Sequence, residues 1–416
     1  MNLQLKIPEL MAPAGDRTML VAAINAGADA VYFGIRKLNM RAKAINFQLE
    51  DLTWLAEYCS SKNVKSYLTL NTIIYENEIS EAEQIICKAK EAGIDRIILW
   101  DLAIASLCRK YDMPFCISTQ GSVSNSLAAE LYKNLGAVRI VLARECTLEQ
   151  IIEIKRNTDL EIEAFVHGAM CIAVSGRCFL SHHLFGKSAN RGECVQPCRR
   201  EYSFYSETGI EFEIYDKAIN NSLVLGNDYV LSPKDLCTIE FIDKLIEAEI
   251  DSFKIEGRKR SPEYVAKVVS VYRQAIDLYF ESNLTVEKKK YFLEELKTVY
   301  NRGFSSGFYF GKPSTEDYAV TEGSVATRRK EYIGKVVNYF KIPKILYLKI
   351  ESGVISPGDE ILITGPSTGV VRFEIKNILI DGKPVTAANK GDEVTIPCEQ
   401  LVRRNDSVYI VRRLTG

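Results

Sequence analysis

Residues 167–200 read HGAMCIAVSGRCFLSHHLFGKSANRGECVQPCRR, and they hold four of the chain's eleven cysteines together with all three of its histidines. Cys171, Cys178, Cys194 and Cys198 are interleaved with His167, His182 and His183, with Gly168, Gly176, Gly186 and Gly192, and with Arg191, Arg199 and Arg200. Thiolate and imidazole are ligands of zinc and iron–sulfur centres, and they are also the nucleophile and base of thiol enzymes. Four readings are open: a metal site, a disulfide knot, a thiol active site, or ordinary buried cysteines.

Compartment and spacing weigh among them. MNLQLKIPELMAPAGD has no basic region followed by a long apolar run, and no stretch approaches the roughly 20 apolar residues that cross a bilayer. A cytoplasmic protein without membrane contact is expected, where thiols stay reduced and disulfides are disfavoured. The intervals are CX6C, CX15C and CX3C, then a long gap to Cys237 in LSPKDLC, with no CxxC pair. Structural zinc favours such short pairs. Iron–sulfur clusters accept irregular spacing, because their four thiolates come from separate turns around a larger cube. A cysteine nucleophile could use His167 as base but would leave the other thiols unexplained. Simple burial suits Cys59, Cys87, Cys108 and Cys146, in helical or strand-end patterns, better than it suits thiols in a glycine-rich loop. Iron–sulfur leads this ranking; zinc, a thiol site and burial stay open.

A barrel would position that segment. Short apolar runs recur at 9–14, 30–34, 65–71, 96–101, 114–119, 139–144, 162–168 and 252–257. Between them, stretches such as SEAEQIICKAKEAG (80–93) and SLAAELYKNLG (126–136) carry apolar residues at helical spacing and close on glycine. Eight strands alternating with helices predict an α/β fold, a (β/α)8 TIM-like barrel, with a doubly wound open sheet as the alternative. Sites in such barrels form at the C-terminal ends of the strands. The cysteine segment follows strand seven and opens an insertion at about 169–250, which includes the hairpin-like EYSFYSETGIEFEIY and is far longer than an ordinary strand-to-helix loop. The same rule brings Asp16, Asn71, Asp101, Gln120, Arg144, His167, Lys254, Glu256 and Arg258 to the barrel mouth. Taken singly, each of these reads equally well as half of an ion pair on the rim.

SPEYVAKVVSVYRQAIDLYFES (261–282) predicts a long helix with Ser261 as N-cap and Pro262 at its first position. From about 330 the pattern turns to alternating apolar and polar residues, which predicts a small C-terminal all-β barrel. The expected domains are 1–315 and 325–416, joined through EDYAVTEGSVATRRKE (316–331). A net charge of −1 gives no global sign of nucleic-acid binding. Basic clusters at Arg199-Arg200, Arg258-Lys259-Arg260, Arg328-Arg329-Lys330, Arg403-Arg404 and Arg412-Arg413 nonetheless allow a local phosphate-binding stripe. No HExxH motif occurs, and no GxSxG elbow lies at a strand-to-helix turn.

HGAMCIAVSGRCFLS…SANRGECVQPCRR, LSPKDLC and FKIEGRKRSPEYV, with ELMAPAGD and AVYFGIRKLNMRAKAINF nearer the start, resemble the signature regions of the collagenase-like peptidase family U32 over about residues 8–312. The C-terminal segment resembles that family's appended β-barrel, of the kind found in translation factors. Despite the protease name, the resemblance implies an RNA or quinone hydroxylation protein carrying a 4Fe-4S cluster. The branch that this chain looks most like forms 5-hydroxyuridine at the tRNA wobble position, with prephenate as a required metabolite. A second branch hydroxylates a cytidine of 23S rRNA, and a third serves ubiquinone synthesis. The expected cluster ligands are then Cys171, Cys178, Cys194 and Cys237, with Cys198 as a fifth candidate; Gly192 favours Cys194 by freeing the loop to turn. Arg41, Arg144, Lys254 or Arg258 would clamp the two carboxylates of prephenate, and His167 or Glu256 would move protons. The expected partners are a tRNA anticodon loop or 23S rRNA, together with a paired homologous subunit. A peptidase is the competing class.

Overall fold

The structure is a computed structural model that describes residues 5–200, 214–216, 221–223, 231–319, 321 and 323–414. Seven parallel strands open the chain: β1 (Glu9–Ala14), β2 (Ala30–Phe33), β3 (Lys65–Leu70), β4 (Arg96–Leu99), β5 (Phe115–Ile117), β6 (Ala137–Val141) and β7 (Glu161–Ala169). The helices α1 (Arg17–Asn25), α2 (Leu52–Ser60), α3 (Ile79–Ala92), α4 (Leu102–Lys110), α5 (Ser126–Asn134) and α6 (Leu148–Arg156) alternate with them. These strands are buried on both faces, as in β1, where five of six residues are buried, and so they read as near-continuous apolar runs. The helices start where polar side chains cap them: Asp16 accepts from the Met19 amide at 2.8 Å, and Asp101 accepts from that of Ala103 at 2.9 Å. These two carboxylates are therefore spent on helix starts and do not line the mouth.

The insertion carries α7 (Leu180–Phe185), β8 (Ile214–Asp216), β9 (Asn221–Leu223) and β10 (Asp235–Cys237), followed by α8 (Ile242–Glu247) and β11 (Ser252–Ile255). β8 and β9 pair antiparallel, and most of EYSFYSETGIEFEIY lies outside the described residues. β11 pairs with both β1 and β7, so the eight parallel strands close into a barrel and the open-sheet alternative is set aside. β10 returns antiparallel along the end of β7, placing Cys237 opposite His167, and β12 (Phe304–Ser305) extends that ladder.

α9 (Pro262–Phe280) packs across α1, and α10 (Val286–Lys297) packs on α9. Ser261 takes the N-cap position with extended backbone, although its side chain makes no cap hydrogen bond, and Pro262 opens the helix.

The remaining strands are β13 (Arg328–Phe340), β14 (Ile345–Ile350), β15 (Val354–Ile355), β16 (Glu360–Gly365), β17 (Gly369–Glu374), β18 (Ile378–Ile380), β19 (Lys383–Val385), β20 (Ala388–Asn389), β21 (Glu393–Pro397) and β22 (Ser407–Arg413). Eight of them form an antiparallel sheet in the order β17-β16-β22-β13-β14-β21-β18-β19 around a core of its own, including Ile333, Leu348, Ile361, Ile396 and Ile410. This unit rests on the barrel through β17 and α1. Gly369, with φ +69°, lies so close to the backbone of Ala22 that a Cβ would meet the Ala22 nitrogen at 2.9 Å.

Candidate active site

The C-terminal ends of the barrel strands and the insertion enclose a cavity of about 150 Å³. Thr69 and Asn71 reach it from β3, Ser118 and Gln120 from β5, Arg144 from β6 and Phe165 from β7. Lys254, Glu256 and Arg258 reach it from β11 and the turn beyond, and Arg41 from the segment after β2. Its remaining wall is the cysteine segment, and Cys171, Cys178, Cys194 and Cys198 all line it.

Hydrogen bonds at both ends hold that segment. The Cys178 amide donates to Asn190 Oδ1 at 2.8 Å. Ser181, fully buried, accepts from the Val195 amide at 3.2 Å and directs its hydroxyl to Cys194 Sγ at 3.8 Å. Lys259 Nζ donates to the Cys194 carbonyl at 3.2 Å. Arg191 pairs with Glu78 and lies 4.5 Å over the Tyr75 ring, while Arg199 donates to the carbonyls of Met170 and Pro233. Gly192 is buried at φ +88°, and a Cβ there would stand 2.3 Å from the Asn39 carbonyl oxygen, so the loop packs against the segment after β2 only because it carries glycine.

Cations dominate the lining: among the described residues Arg41, Arg144, Arg199, Lys254, Arg258 and Lys259 share the cavity with the single carboxylate of Glu256. Burial lowers the pKa of Arg258 to about 10, that of Arg199 to about 10, and those of Arg144 and Lys259 as well. Two cations are already matched. Arg41 pairs with Glu256 at 3.2 Å, and Lys254 pairs with buried Glu163 at 2.6 Å. Among the described residues Arg258 has only neutral hydrogen-bond partners, Thr69 Oγ1 at 2.8 Å and Asn39 Oδ1 at 3.4 Å. Arg144 donates to the Ala169 carbonyl at 2.6 Å and stacks 3.9 Å over Phe165, while its Nε is buried without a hydrogen-bond partner among the described residues. Burial pulls the Glu256 carboxyl up, but Arg41, Arg260 and Arg144 outweigh it and hold it below the ordinary range, so it stands ionised.

Two expected residues lie elsewhere. His167 is buried behind the wall, with Nδ1 3.4 Å from the Tyr272 hydroxyl and the rings of Tyr264, Tyr272 and Phe304 around it. Burial, reinforced by Arg260, lowers its pKa to about 3, so it stays neutral and has no access to the cavity. The cause is a β-bulge. Lys254 pairs with Phe165, but Ile255 pairs with His167, and the slipped register leaves Phe165 facing the cavity and His167 against α9. Cys237 follows His167 outward, because β10 sets the two opposite each other. Its thiol, pushed up to about 12 by burial, lies 3.9 Å from the Tyr272 hydroxyl and does not line the cavity. The fourth cysteine at the cavity is therefore Cys198, where the expectation had Cys237.

Among the described residues, no three or more His, Cys, Asp or Glu side chains are drawn close enough to share one metal ion. A cluster asks for something different, since its thiolates surround a cube wider than a single ion. Four thiols line one cavity wall, and cations stand beside three of them: Arg199 next to Cys198 and Cys171, Arg144 next to Cys171, and Arg41 and Lys259 next to Cys194. These cations favour the thiolates such a group needs, while burial pushes the Cys198 thiol up. Sequence reasoning missed Asn39, Asn190, Arg199, Lys259 and Phe165. The basic runs at 199–200 and 258–260 offered the local signals, for Arg199 and Lys259.

A profile of peptidase family U32 matches residues 15–319. Over 413 residues the chain is 42% identical to a collagenase of Porphyromonas gingivalis, covering 96% of this chain and 97% of that one. It is 37% identical to tRNA hydroxylation protein P1 of Bacillus subtilis, covering 92% and 90% of the two chains. It is 34% identical to the 23S rRNA 5-hydroxycytidine C2501 synthase of Escherichia coli, covering 72% of this chain and 45% of that protein.

Proposed function

The chain belongs to peptidase family U32, and on that footing we propose that it is an RNA hydroxylation protein that forms 5-hydroxyuridine at the wobble position of tRNA. The observation that carries this reading is the shared cavity: four thiols on one wall, and on the other the half-buried Arg144 and the buried Arg258, which pair with no carboxylate among the described residues. Cys171, Cys178, Cys194 and Cys198 would hold a 4Fe-4S cluster, which supplies one-electron chemistry when bound. Arg144 and Arg258 would hold the carboxylates of prephenate through charge-assisted N–H donors. The Arg41–Glu256 pair fixes the floor between them, with Glu256 presenting an ionised oxygen as proton acceptor. Met40, Ile98, Phe165 and Leu180 contribute apolar lining that limits water. An unpaired nucleotide suits such a recess, because it enters without the cost of leaving a duplex stack.

Coverage supports tRNA over rRNA as the target, since the B. subtilis relative is matched over 90% of its length and the E. coli synthase over 45%. The deciding experiment is nucleoside mass spectrometry of tRNA and rRNA from cells with and without the gene. Loss of 5-hydroxyuridine derivatives from tRNA is expected. Loss of 5-hydroxycytidine from rRNA instead would move the target to 23S rRNA, and unchanged nucleosides with loss of gelatin hydrolysis would return the chain to the peptidases.

A further inference from the structure

The cysteine segment presents a surface as well as a cavity wall. Cys178 and Leu180 line the cavity, while Phe179 between them is 71% exposed. α7 follows, and residues 182–187 are all exposed, with Leu184 and Phe185 among them. The lip is nonetheless fixed, because Ser181 anchors the helix to Cys194 and Val195. Apolar side chains held rigidly in water at the rim of a cavity mark an interaction site.

Charge identifies the occupant. From 171 to 200 the segment carries Arg177, Lys187, Arg191, Arg199 and Arg200 against one carboxylate, Glu193, in a chain whose net charge is −1. Arg177, Lys187 and Arg200 are exposed, and the Arg200 guanidinium already lies 4.3 Å over the Phe185 ring. The cores of protein–protein interfaces are depleted of charge, whereas here rings and cations alternate. Rings and guanidinium planes stack unpaired nucleobases, and the surrounding cations meet phosphates.

We infer that the lip formed by Phe179 and α7, with Arg177, Lys187 and Arg200 beside it, is a stacking platform for an unpaired stretch of RNA whose target base enters the adjoining cavity. This rests on the RNA reading given above. The test uses the full-length holoprotein and two fluorescein-labelled probes, an RNA hairpin with an unpaired uridine-containing loop and a fully paired RNA duplex. Phe179→Ala and Phe185→Ala each weaken hairpin binding roughly ten-fold without changing duplex affinity or the salt slope, and Phe179→Trp restores it. Arg177→Ser combined with Lys187→Ser weakens both probes and flattens the salt dependence. An unchanged thermal midpoint in every variant separates lost stacking from lost fold. Wild-type binding to the hairpin with both alanine variants equally tight overturns the platform and leaves the RNA reading standing. Wild-type protein that binds neither probe overturns both. Variants that keep hairpin affinity but change the sedimenting mass assign the lip to a protein partner and also overturn the platform.

Discussion

Lys254 Nζ lies 2.6 Å from Glu163 Oε1, and the two form a buried ion pair across the seam where β11 meets β7. The other carboxylate oxygen of Glu163 accepts from Arg139 and from Ser252 Oγ, each at 3.0 Å, and Arg139 reaches on to Glu9 at 2.6 Å and Glu161 at 2.8 Å. The barrel is thus closed by backbone pairing and by an ionic layer under the cavity floor. Lys254, one of the cations expected to clamp substrate, borders the cavity with its charge matched by Glu163.

Removing one partner of a buried pair leaves an uncompensated charge, which costs more than the pair itself contributes. Glu163→Gln strands Lys254 while Arg139 keeps Glu9 and Glu161. The expected loss is roughly 3–5 kcal/mol, read as a lower denaturant midpoint with an unchanged m value.

His167 makes stability depend on pH. Its folded pKa, about 3, lies below its ordinary value of 6.5, so between those limits only the unfolded chain binds the proton. Its contribution is complete above about pH 6.5 and is lost as the pH falls toward 3, at roughly 1.4 kcal/mol per pH unit. His167→Phe should flatten that slope in urea titrations run from pH 7 to pH 4, leaving the slope of the carboxylates below.

The eight strands were legible because two-faced burial writes each one as an apolar run, whereas the caps at Asp16 and Asp101 were not, since the barrel rule assigns both carboxylates to the mouth. Arg144, Lys254, Glu256 and Arg258 followed from the barrel rule alone. His167 and Cys237 did not, and for one shared reason. A bulge in β7 turns His167 outward, and the antiparallel return of β10 carries Cys237 with it. Neither the slip nor a long-range strand pairing has a local signature. The same holds for the place of Cys198 on the cavity wall, which depends on where the loop pinned by Gly192 comes to rest.

The basic stripe of the C-terminal unit is thinner than its sequence. Arg328 pairs with Glu360, Arg329 with Glu331, Lys330 with Glu263 and Arg412 with Asp359, whereas Arg403, Arg404 and Arg413 are exposed and in no salt bridge among the described residues. Arg403→Ser with Arg404→Ser should weaken RNA binding and lower the salt slope by roughly 1.4 on a single-stranded probe, at unchanged iron content. The pair Arg328→Ser and Arg412→Ser should change the slope less, because both arginines are already neutralised.

Cysteine substitution separates the two ligand sets. Protein purified without oxygen should lose its brown colour and most of its iron in Cys171→Ser, Cys178→Ser, Cys194→Ser and Cys198→Ser. Cys237→Ser should keep both, and its effect should be confined to a modest loss of stability where the Tyr272 contact is disturbed. Iron analysis of the five variants reads this directly, and a colourless Cys237→Ser with a brown Cys198→Ser would reverse the assignment.

Arg144 and Arg258 are two of the four cavity cations, with Arg199 and Lys259, that pair with no carboxylate among the described residues, and these two reach the cavity from the barrel strands, poised for an anionic ligand. A hydrogen bond to a charged group contributes roughly 1.5–3 kcal/mol, so Arg144→Met and Arg258→Met should each weaken prephenate binding by roughly 10- to 150-fold in calorimetric titrations. Lys254→Met should behave differently. Its charge is already matched by Glu163, so the substitution strands that carboxylate, lowers stability and leaves prephenate affinity within a few-fold of wild type. Equal losses of affinity in all three variants would show that the cations act through their summed field, and that neither arginine is a specific clamp.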